Sequence, residues 1–286
     1  MSEKASVIIP VCNREVELRR AVLSVLNQTH KHIEVIVVEN NSKDPELLRS
    51  VVNELDDERI KFHSLRECKN ANVARNFGMS VATGDYIGFL DSDDEFEPHH
   101  IQDSIQFIKD NELDFCFGSM RVFNGSTYRI APARRLRPNE SGPDYLFEGK
   151  GFEAPTPTYV LTRKAAELVA WDNELDRHQD WDFFFRLVET CRGDAKVEPS
   201  VIVHWMPGRK VRLPVSSVER FYGRWCKKMT REMRCRFLIQ KVRQSVKLRN
   251  PALFLWAGPR LGAVIASPAG IRVVREYIGR RHVSRQ

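Results

Sequence analysis

The sequence predicts an α/β fold, a mostly parallel sheet flanked by helices, followed by a basic helical extension. Short β-branched runs alternate with segments of helical periodicity as far as Leu90, an order that gives parallel strands with right-handed crossovers. The 286 residues suit one large α/β domain with an appendage. The charge also divides the chain, since 20 Lys+Arg and 3 Asp+Glu follow from His204 onward, against 25 and 35 before it. We therefore predict an α/β domain over residues 1–205 and an extension over residues 206–286.

Three strands and three helices are predicted in the first third of the chain. Apolar, β-branched runs mark strands at residues 5–11, 33–38 and 60–65. Apolar positions at helical spacing mark helices at residues 13–29, 45–55 and 72–81. Asp44 is the expected N-cap of the second helix, because a proline follows it at the first helical position.

The stretch from Tyr86 to Asp94 combines a strand with an acidic cluster. Residues 86–90 are mostly apolar and aromatic, as in a buried strand, and Asp91, Asp93 and Asp94 follow directly. Open α/β sheets bind ligands at the edge where such strands end. Three close carboxylates repel each other unless a cation joins them, and Mg²⁺ or Mn²⁺ held by one or two carboxylates plus substrate phosphates suits this group. The alternative interpretation is an exposed acidic turn.

The second half of the chain has a less regular pattern. We predict a helix at 98–111, a strand at 114–122, loops over 123–157, a strand at 159–163, a helix at 164–170 and a last strand at 197–204. A second acidic group, Gln179-Asp180-Trp181-Asp182, opens an aromatic helix. The six cysteines show no C-x-x-C pair and no zinc spacing, so we expect free thiols in a reducing compartment.

Four segments of the chain resemble the family 2 glycosyltransferases. They are residues 6–13 (SVIIPVCN), 24–29 (SVLNQT), 74–78 (ARNFG) and 84–94 (GDYIGFLDSDD). The resemblance implies the GT-A fold, a Rossmann-like nucleotide-binding α/β sheet. It also implies an inverting transfer of a sugar from a nucleotide sugar to an acceptor hydroxyl, in the synthesis of a polysaccharide or a lipid-linked glycan.

The resemblance assigns roles to the acidic residues. It makes Asp93 the main protein ligand of a Mn²⁺ or Mg²⁺ ion, with Asp91 facing the ribose or the metal and His204 completing the metal site. Such an ion neutralises the charge that grows on the leaving nucleotide diphosphate. The family's base lies in a Glu-Asp pair that opens a helix, and Gln179-Asp180 takes that place here, which makes Asp180 the general base. An N-cap role for Asp180 and a structural role for His204 are the alternatives.

The resemblance places the nucleotide at the ends of the first two strands. A turn near Pro10 packs on the base and ribose, Arg75 reaches the nucleotide or diphosphate, and a carboxylate after the second strand reads uracil. Glu39-Asn40 stands where the family usually has two aspartates, and the Asn40 amide can accept from uracil or donate to another base. The implied donor is a UDP-sugar, with another nucleotide as the alternative. The implied nucleotide-binding residues are Pro10, Val11, Asn13, Glu39, Asn40, Arg75, Asp91 and Ser92.

The basic extension has a pattern of its own. Residues 217–250 carry apolar side chains at three- and four-residue steps, interleaved with Lys and Arg, which predicts one or two basic amphipathic helices. Residues 252–266 are apolar, but we expect Gly258-Pro259-Arg260 to break them, and the run is shorter than the about 20 residues of a spanning helix. The extension is interpreted either as a peripheral anchor on an anionic membrane or as a helical cap on the acidic domain. Nucleic acid is not an expected partner, because the chain lacks a base-reading motif.

These observations together predict a cytoplasmic, metal-assisted glycosyltransferase acting on a glycan or lipid-linked acceptor, with a location at the inner face of a membrane if the extension is an anchor. Two other classes remain open. One is a nucleotidyltransferase on a similar sheet, although residues 10–14 lack the glycines of a phosphate loop. The other is a non-catalytic sugar-nucleotide-binding module.

Overall fold

The computed structural model describes residues 3–66, 70–147, 152–205 and 213–283, with side chains as far as residue 276. The strands are β1 Ala5–Val11, β2 Ile33–Asn40, β3 Ile60–Leu65, β4 Tyr86–Phe89, β5 Glu95–Phe96, β6 Phe115–Gly118, β7 Met120–Phe123, β8 Tyr128–Ala131, β9 Val160–Thr162, β10 Gly193–Lys196 and β11 Val201–His204. The helices are α1 Glu15–Leu26, α2 Pro45–Asn53, α3 Ala71–Val81, α4 His100–Asp110, α5 Gly142–Phe147, α6 Arg163–Leu168, α7 Gln179–Thr190, α8 Val215–Trp225, α9 Arg231–Lys247, α10 Pro251–Ile265 and α11 Pro268–Val283.

Seven strands form a large sheet in the order β10-β6-β9-β4-β1-β2-β3. Neighbouring strands are parallel except at β9, which is antiparallel to both β4 and β6. The prediction of a mostly parallel α/β sheet is therefore confirmed. The central strands β1, β2 and β4 run the same way, so their carboxyl ends lie at one edge of the sheet, the edge where such folds bind ligands.

Strand β1 is rich in apolar, β-branched residues and lies in the core of the large sheet. All seven residues of β1 are buried, because the strand lies between β2 and β4 and is covered on both faces. Val7 and Ile9 share a hydrophobic cluster with Leu18 of α1. Ile8 points to the other face, where it lies against Gly78 of α3.

A second sheet of four strands has the order β5-β11-β7-β8. Residues 114–122, predicted as one strand, form β6 and β7, which belong to different sheets. The chain crosses between the sheets at Ser119, whose hydroxyl accepts a hydrogen bond from Ala133 N at 2.7 Å.

Several predicted elements needed correction. The region 123–157 is not all loop, since it contains β8 and α5. The predicted last strand at 197–204 is shorter and begins at Val201. The two-residue strand β5, the polar strand β10 and the helix α11 were not predicted, because none of them shows a clear apolar period.

The chain divides into two compact units. The first comprises residues 1–142, 151–174 and 179–209 and contains both sheets. The second comprises residues 143–150, 175–178 and 210–286 and contains α8 to α11. The predicted extension at 206–286 makes up most of the second unit, which also takes in two short segments from earlier in the chain.

The helices of the second unit follow the basic amphipathic pattern as two separate elements, α8 and α9. The expected break at Pro259 does not occur, because α10 continues through this proline from Asn250, its N-cap, to Ile265. A proline removes one backbone donor, and the remaining turns of α10 keep the helix intact. Within the described ranges no single helix is long and apolar enough to cross a membrane, and α10 with the first part of α11 reaches the required length only as a pair bent by 114°.

Candidate functional site

The acidic stretch lies at the carboxyl edge of the large sheet. β4 ends at Phe89, and Leu90 N still donates to Ile8 O of β1 at 3.0 Å. Asp91, Ser92, Asp93 and Asp94 then leave the sheet beside the end of β1. The carboxylates therefore occupy the position that the strand pattern predicts.

Asp91 is paired with an arginine. Arg75 Nη2 donates to Asp91 Oδ1 at 2.6 Å, and Arg75 is only 2% exposed. Asn72 Oδ1 accepts from Arg75 Nη1 at 3.1 Å, and the guanidinium lies over the Trp171 ring at 4.7 Å. The predicted nucleotide contact Arg75 is thus a buried, fixed cation at the site.

Two further arginines contact the acidic stretch at Ser92 and Asp93. Arg14 is the residue before α1, and Arg20 lies within α1. Arg14 forms an ion pair with Asp93, and its Nη1 donates to Ser92 Oγ at 3.4 Å. Arg20 Nη2 donates to the Asp93 carbonyl at 2.6 Å. Neither arginine was predicted. The available signal for Arg14 was a basic residue in the loop after the first strand, whereas Arg20 lies within α1 and had no such signal.

The side chain of Asp94 is hydrogen-bonded to the backbone of His204. His204 N donates to Asp94 Oδ1 at 2.9 Å, and Asp94 is buried. Burial raises the pKa of Asp94 well above its usual range, and the charges of Asp91 and Asp93 raise it further. Asp94 therefore keeps its proton more readily than a solvated aspartate does, which reduces the repulsion within the cluster.

The structure places the predicted metal ligand His204 beside another acid. Its Nε2 lies 2.6 Å from Glu95 Oε1, in a contact that depends on the ring tautomer. In the part of the chain that the structure describes, no group of three or more His, Cys, Asp and Glu side chains could hold a metal ion by itself. Asp91 and Asp93 are ion-paired with arginines, so the protein already balances much of their charge.

The loops after β1 and β2 are tied to each other. Asn13 Oδ1 accepts from Lys43 N at 2.8 Å, and Asn13 N donates to Ser42 Oγ at 3.1 Å. Asn13 and Asn41 adopt the left-handed backbone region, with φ of 51° and 65°, which asparagine tolerates better than most residues. Together the two loops form one hydrogen-bonded rim beside the acidic stretch.

Glu39 and Asn40, the two residues predicted to recognise the nucleotide base, have different surroundings. Both carboxylate oxygens of buried Glu39 accept protein hydrogen bonds, one from Ser42 N at 2.5 Å and one from the Ser64 hydroxyl. Asn40, the last residue of β2, is partly exposed at the same rim. Pro10 and Val11 are the last two residues of β1, and both are buried.

Asp180 lies in the first turn of α7, which begins at Gln179. Its Oδ1 accepts from Trp181 N at 3.0 Å. Loss of solvation on burial raises the pKa of Asp180 to about 6, while Arg75 lowers it and Asp91 raises it. Asp180 is therefore close enough to the Arg75–Asp91 pair for their charges to affect its pKa. The fold thus places the acidic group at the start of α7 near the acidic stretch that follows β4.

Asp182, two residues after Asp180, forms an ion pair with Arg186 of the same helix. It is buried and receives a hydrogen bond from Arg186 Nε at 2.9 Å, one helical turn later. Phe183 stacks on Trp171 with ring centroids 3.9 Å apart, and Trp171 also lies under Arg75. The start of α7 is thus fixed against the residues that hold Asp91.

Fold and site together define a class of protein. A mostly parallel α/β sheet carries acidic and basic side chains at the carboxyl ends of its central strands, and a desolvated carboxyl lies near them. This is the arrangement of an α/β protein that binds a charged ligand at the edge of its sheet.

The chain belongs to glycosyl transferase family 2, whose model matches residues 6–168. Over 189 residues it is 32% identical to the amylovoran biosynthesis glycosyltransferase AmsB of Erwinia amylovora, a match covering 63% of this chain and 62% of that protein. Over 120 residues it is 34% identical to the Escherichia coli enzyme UDP-Glc:alpha-D-GlcNAc-diphosphoundecaprenol beta-1,3-glucosyltransferase WfaP, covering 42% of this chain and 47% of the enzyme. The chain thus spans less than two thirds of the length of both relatives.

The fold is shared with a solved glycosyltransferase structure. Residues 1–349 of TarS from S. aureus, in complex with UDP-GlcNAc, superpose with a TM-score of 0.63 at 19% sequence identity. The match covers 84% of this chain and 66% of that chain. The predicted GT-A fold is therefore confirmed.

Proposed function

We propose that the protein is an inverting glycosyltransferase that moves a sugar from a nucleotide-diphosphate sugar to an acceptor hydroxyl, with Asp180 as the general base. The observation that carries the proposal is the position of Asp180. It is a desolvated carboxyl with a pKa of about 6, within electrostatic reach of Arg75 and Asp91 at the ligand-binding edge of the sheet. Family membership supports the reaction class.

The proposed step balances as a single displacement. The acceptor oxygen attacks the anomeric carbon while its proton moves to an Asp180 carboxylate oxygen. The bond from the anomeric carbon to the donor phosphate oxygen breaks, and its electron pair leaves with the nucleotide diphosphate. Asp180 is suited to this role because a base with a pKa near the working pH accepts a proton and is still ionised beforehand.

The charge of the leaving diphosphate needs cations at the same edge. Arg14, Arg20 and Arg75 already lie there on the acidic stretch. The Asp91 and Asp93 carboxylates would hold Mn²⁺ or Mg²⁺ only together with substrate phosphates, since the described residues hold no three-ligand group. A divalent ion in that position supplies Lewis-acid neutralisation of the leaving group.

The proposed donor is a UDP-sugar. A family relative is named for UDP-Glc, and the TarS structure of the same fold holds UDP-GlcNAc. Asn40 at the rim offers an amide that can accept from the uracil imide. The proposed acceptor is a growing polysaccharide or a lipid-linked glycan, since the names of the relatives refer to amylovoran biosynthesis and to a diphosphoundecaprenol-linked sugar.

The test is the variant Asp180→Asn, which keeps the shape of the side chain and removes its basicity. We expect transfer to fall by at least about 100-fold, the scale of general-base catalysis, while UDP-sugar binding measured by calorimetry stays within about twofold. Asp182→Asn is a poor control because Asp182 pairs with Arg186. Glu189→Gln, an exposed acid on the same helix, is the better control and should retain activity.

Two results separate the competing proposals. Full transfer by Asp180→Asn would remove Asp180 from the mechanism. Binding of the UDP-sugar by the wild type with no transfer to any lipid-linked or oligosaccharide acceptor, in the presence of Mn²⁺, would favour a non-catalytic binding module.

We also propose that the second unit binds an anionic membrane surface, where a lipid-linked acceptor is found. Leu255 is 71% exposed on α10, and Phe254 and Ile271 are also exposed. The sequence contains nine Lys+Arg and no Asp or Glu from Met233 to Arg275. Exposed apolar side chains surrounded by cations are typical of helices that lie in a membrane interface.

A further inference from the structure

The chain enters α7 through a short segment, residues 175–178, that belongs to the second unit. His178 is the last residue of this segment, Gln179 is the first residue of α7, and Asp180 follows it. The proposed base therefore lies only two residues after a segment that has its contacts inside the second unit. Because the backbone has only two soft dihedral angles per residue, a contact that fixes His178 also restricts Asp180.

The backbone of His178 has an uncommon conformation. Its φ of 61° lies in the left-handed region, where the Cβ atom of any residue other than glycine is crowded by the backbone. Such conformations persist only where the surroundings impose them, and they cluster at functional sites. The chain just before the proposed base is therefore held by tertiary contacts and not by its local preference.

Two helices of the second unit supply contacts to this segment. Arg177 N donates to Ser217 Oγ of α8 at 2.9 Å, and the same hydroxyl donates to the Arg177 carbonyl at 3.1 Å. The His178 ring stacks on Phe221 of α8, with ring centroids 5.0 Å apart, and lies 5.6 Å from the ring of Phe237 of α9. Backbone and side chain of the segment are thus both held.

Lys241 of α9 makes the directed contact with His178. Lys241 is only 2% exposed, its Nζ lies 2.7 Å from His178 Nε2, and it donates to Gln244 Oε1 at 3.1 Å. The amine also lies 4.7 Å from the centre of the Phe237 ring. An apolar side chain would fill this space without the cost of removing an amine from water, so what the lysine adds is its hydrogen bonds.

The charges of the pair allow a hydrogen bond between two basic groups. Burial and the charge of Arg177 lower the pKa of Lys241 to about 7. Burial lowers the pKa of His178 well below its usual range, and the charges of Lys241 and Arg177 lower it further. The ring is therefore neutral at neutral pH, and its Nε2 can accept from the Lys241 ammonium, which can only donate.

We propose that Lys241 is a positioning residue for the base, because its hydrogen bond to His178 fixes the backbone at the entry to α7 and so keeps the Asp180 carboxyl in its desolvated place. The proposal rests on the proposed role of Asp180 in the transfer. It gives the helical extension a part in the reaction through a side chain that acts on the base and not on the substrate.

The test is the variant Lys241→Met, which keeps the apolar stem of the side chain and removes the amine. Titration of the Asp180 carboxyl by carbon NMR in the full-length protein should give a pKa of about 6 for the wild type. In the variant we expect it to fall to about 5 or lower, since a loosened first turn of α7 lets water reach the carboxyl. Lys227→Met, at an exposed lysine between α8 and α9, is the control and should titrate as the wild type does.

The kinetic readout separates positioning from binding. A misplaced base loses rate without losing donor affinity, so kcat of Lys241→Met at pH 7 should fall by at least about tenfold while KM for the UDP-sugar stays within about twofold. Lys227→Met should keep both values.

A second variant guards against general damage by Lys241→Met. His178→Phe keeps an aromatic ring against Phe221 and removes the acceptor, so it should lower the pKa of Asp180 in the same way. Both variants break one hydrogen bond, and the double variant should lower that pKa no further than either single one. Thermal unfolding of all three variants identifies any that is not folded.

The outcomes separate this proposal from the proposed function. An unchanged pKa of Asp180 in Lys241→Met overturns the link, as do effects of the two single variants that add in the double one. A lowered pKa with full kcat, where Asp180→Asn is inactive, overturns the positioning role. If Asp180→Asn itself retains transfer, the proposed function fails, and the NMR titration still decides whether Lys241 fixes Asp180.

Discussion

Asp180 shows how burial sets the chemistry of a single carboxyl group. A solvated aspartate has a pKa near 4 and is a weak base at neutral pH, whereas desolvation in the first turn of α7 raises the pKa of Asp180 to about 6. The hydrogen bond from Trp181 N and, to a smaller extent, the Arg75 charge lower the pKa of Asp180 and so oppose this shift. The same environment keeps the group ionised at neutral pH and makes it a better proton acceptor.

The first prediction concerns the pH dependence of transfer. A base works only when ionised, so kcat/KM should rise as pH increases through about 6 and level off above about 7. The measurement is initial transfer rate from pH 5 to 8 at saturating metal. A profile that is flat down to pH 5 contradicts the assignment of Asp180.

The second prediction concerns stability at the same residue. Because the folded-state pKa of Asp180 is raised, its stabilising contribution is present at low pH and is lost as pH rises through about 6. Asp180→Asn should therefore be more stable than the wild type at pH 8, by about 1 kcal/mol for this half-buried group, and equal to it near pH 4. Urea unfolding at the two pH values measures both differences. A variant less stable than the wild type at pH 8 would show that the ionised form is favoured.

Glu34 is the opposite case, at the other edge of the sheet. It is buried on β2, and burial alone would raise its pKa. Hydrogen bonds from Lys61 Nζ at 2.6 Å, Ser6 Oγ at 2.5 Å and Thr83 N at 2.7 Å instead hold the pKa of Glu34 well below its usual range. The carboxylate joins β1, β2 and the turn before β4.

The third prediction is that Glu34→Gln lowers the free energy of unfolding at pH 7 by about 2 kcal/mol, because the charged hydrogen bonds are lost. A depressed pKa stabilises the fold above the unfolded value and loses this effect as pH falls, so the difference should shrink below about pH 4. Chemical unfolding at both pH values gives the comparison. Glu46→Gln removes an exposed acid near Arg49 and should change stability by less than about 0.5 kcal/mol.

The residue types of the site were predictable, but their partners were not. Asp91, Asp93 and Asp180 follow from strand ends and a helix start that can be read along the chain. The ion pairs with Arg75 and Arg14 depend on residues that come together only when α3 and α1 pack on β1 and β2. The burial of Asp94 also depends on packing and could not be predicted from the sequence. Because burial raises the pKa of Asp94, the repulsion among the three carboxylates is smaller than the sequence suggested.

At the scale of elements, the approach of α3 to β1 depends on a glycine. A Cβ atom built at Gly78 would lie 2.4 Å from Ile8 Cγ2, below any normal contact distance. Gly78 therefore lets α3 pack directly on the central strand, and α3 carries Arg75 toward Asp91. The spacing of one helix and one strand thus affects the geometry of the site.

The fourth prediction is that Gly78→Ala lowers the free energy of unfolding by about 1–2 kcal/mol, since the clash with Ile8 exceeds the gain in helix propensity. Gly223→Ala on α8 is the matched control, because nothing lies within 4 Å of a Cβ at that helical position. It should stabilise the protein by about 0.5–1 kcal/mol. Equal effects of the two substitutions would show that α3 can shift away from β1 freely.

The elements that could be predicted are those with a strong local period. β1, β2 and β3 are β-branched runs, and their predicted and observed bounds nearly agree. β10 has the sequence Gly-Asp-Ala-Lys, which has no strand pattern of its own, and it forms because β6 offers a parallel partner. Pairing across the sheet overrides local preference at such positions.

At the scale of the whole molecule, the division of charge matches the division into units. The net positive charge lies from residue 204 onward, where 20 Lys+Arg stand against 3 Asp+Glu, whereas residues 1–203, which contain nearly all of the two sheets, carry an excess of acids. In α10 exposed Leu255 and Phe254 accompany buried Leu253 and Trp256, so this helix is apolar on more than the side it buries. Such a helix has apolar surface that its own unit leaves uncovered.

The fifth prediction is that the protein sediments with vesicles containing phosphatidylglycerol and stays in solution with phosphatidylcholine alone. Binding should weaken with added salt, because the basic residues contribute through screened charge. Leu255→Glu should reduce partition by at least about tenfold, since it removes apolar contact and adds a repelled charge. Leu168→Glu, at an exposed leucine of α6, should bind like the wild type. Wild-type protein that remains in solution with both kinds of vesicle excludes the membrane proposal.

The sequence by itself determined the parallel α/β sheet, the acidic end of β4, the acid at the start of α7 and the separation of charge, because each of these is a local run or a sum over residues. Only the tertiary structure decided the partners of those acids, the splitting of residues 114–122 between two sheets and the contact of the buried Lys241 amine with His178. Hydrogen bonding and desolvation depend on atoms that are distant in sequence, so side chains acquire their pKa values and partners only once the strands and helices have packed.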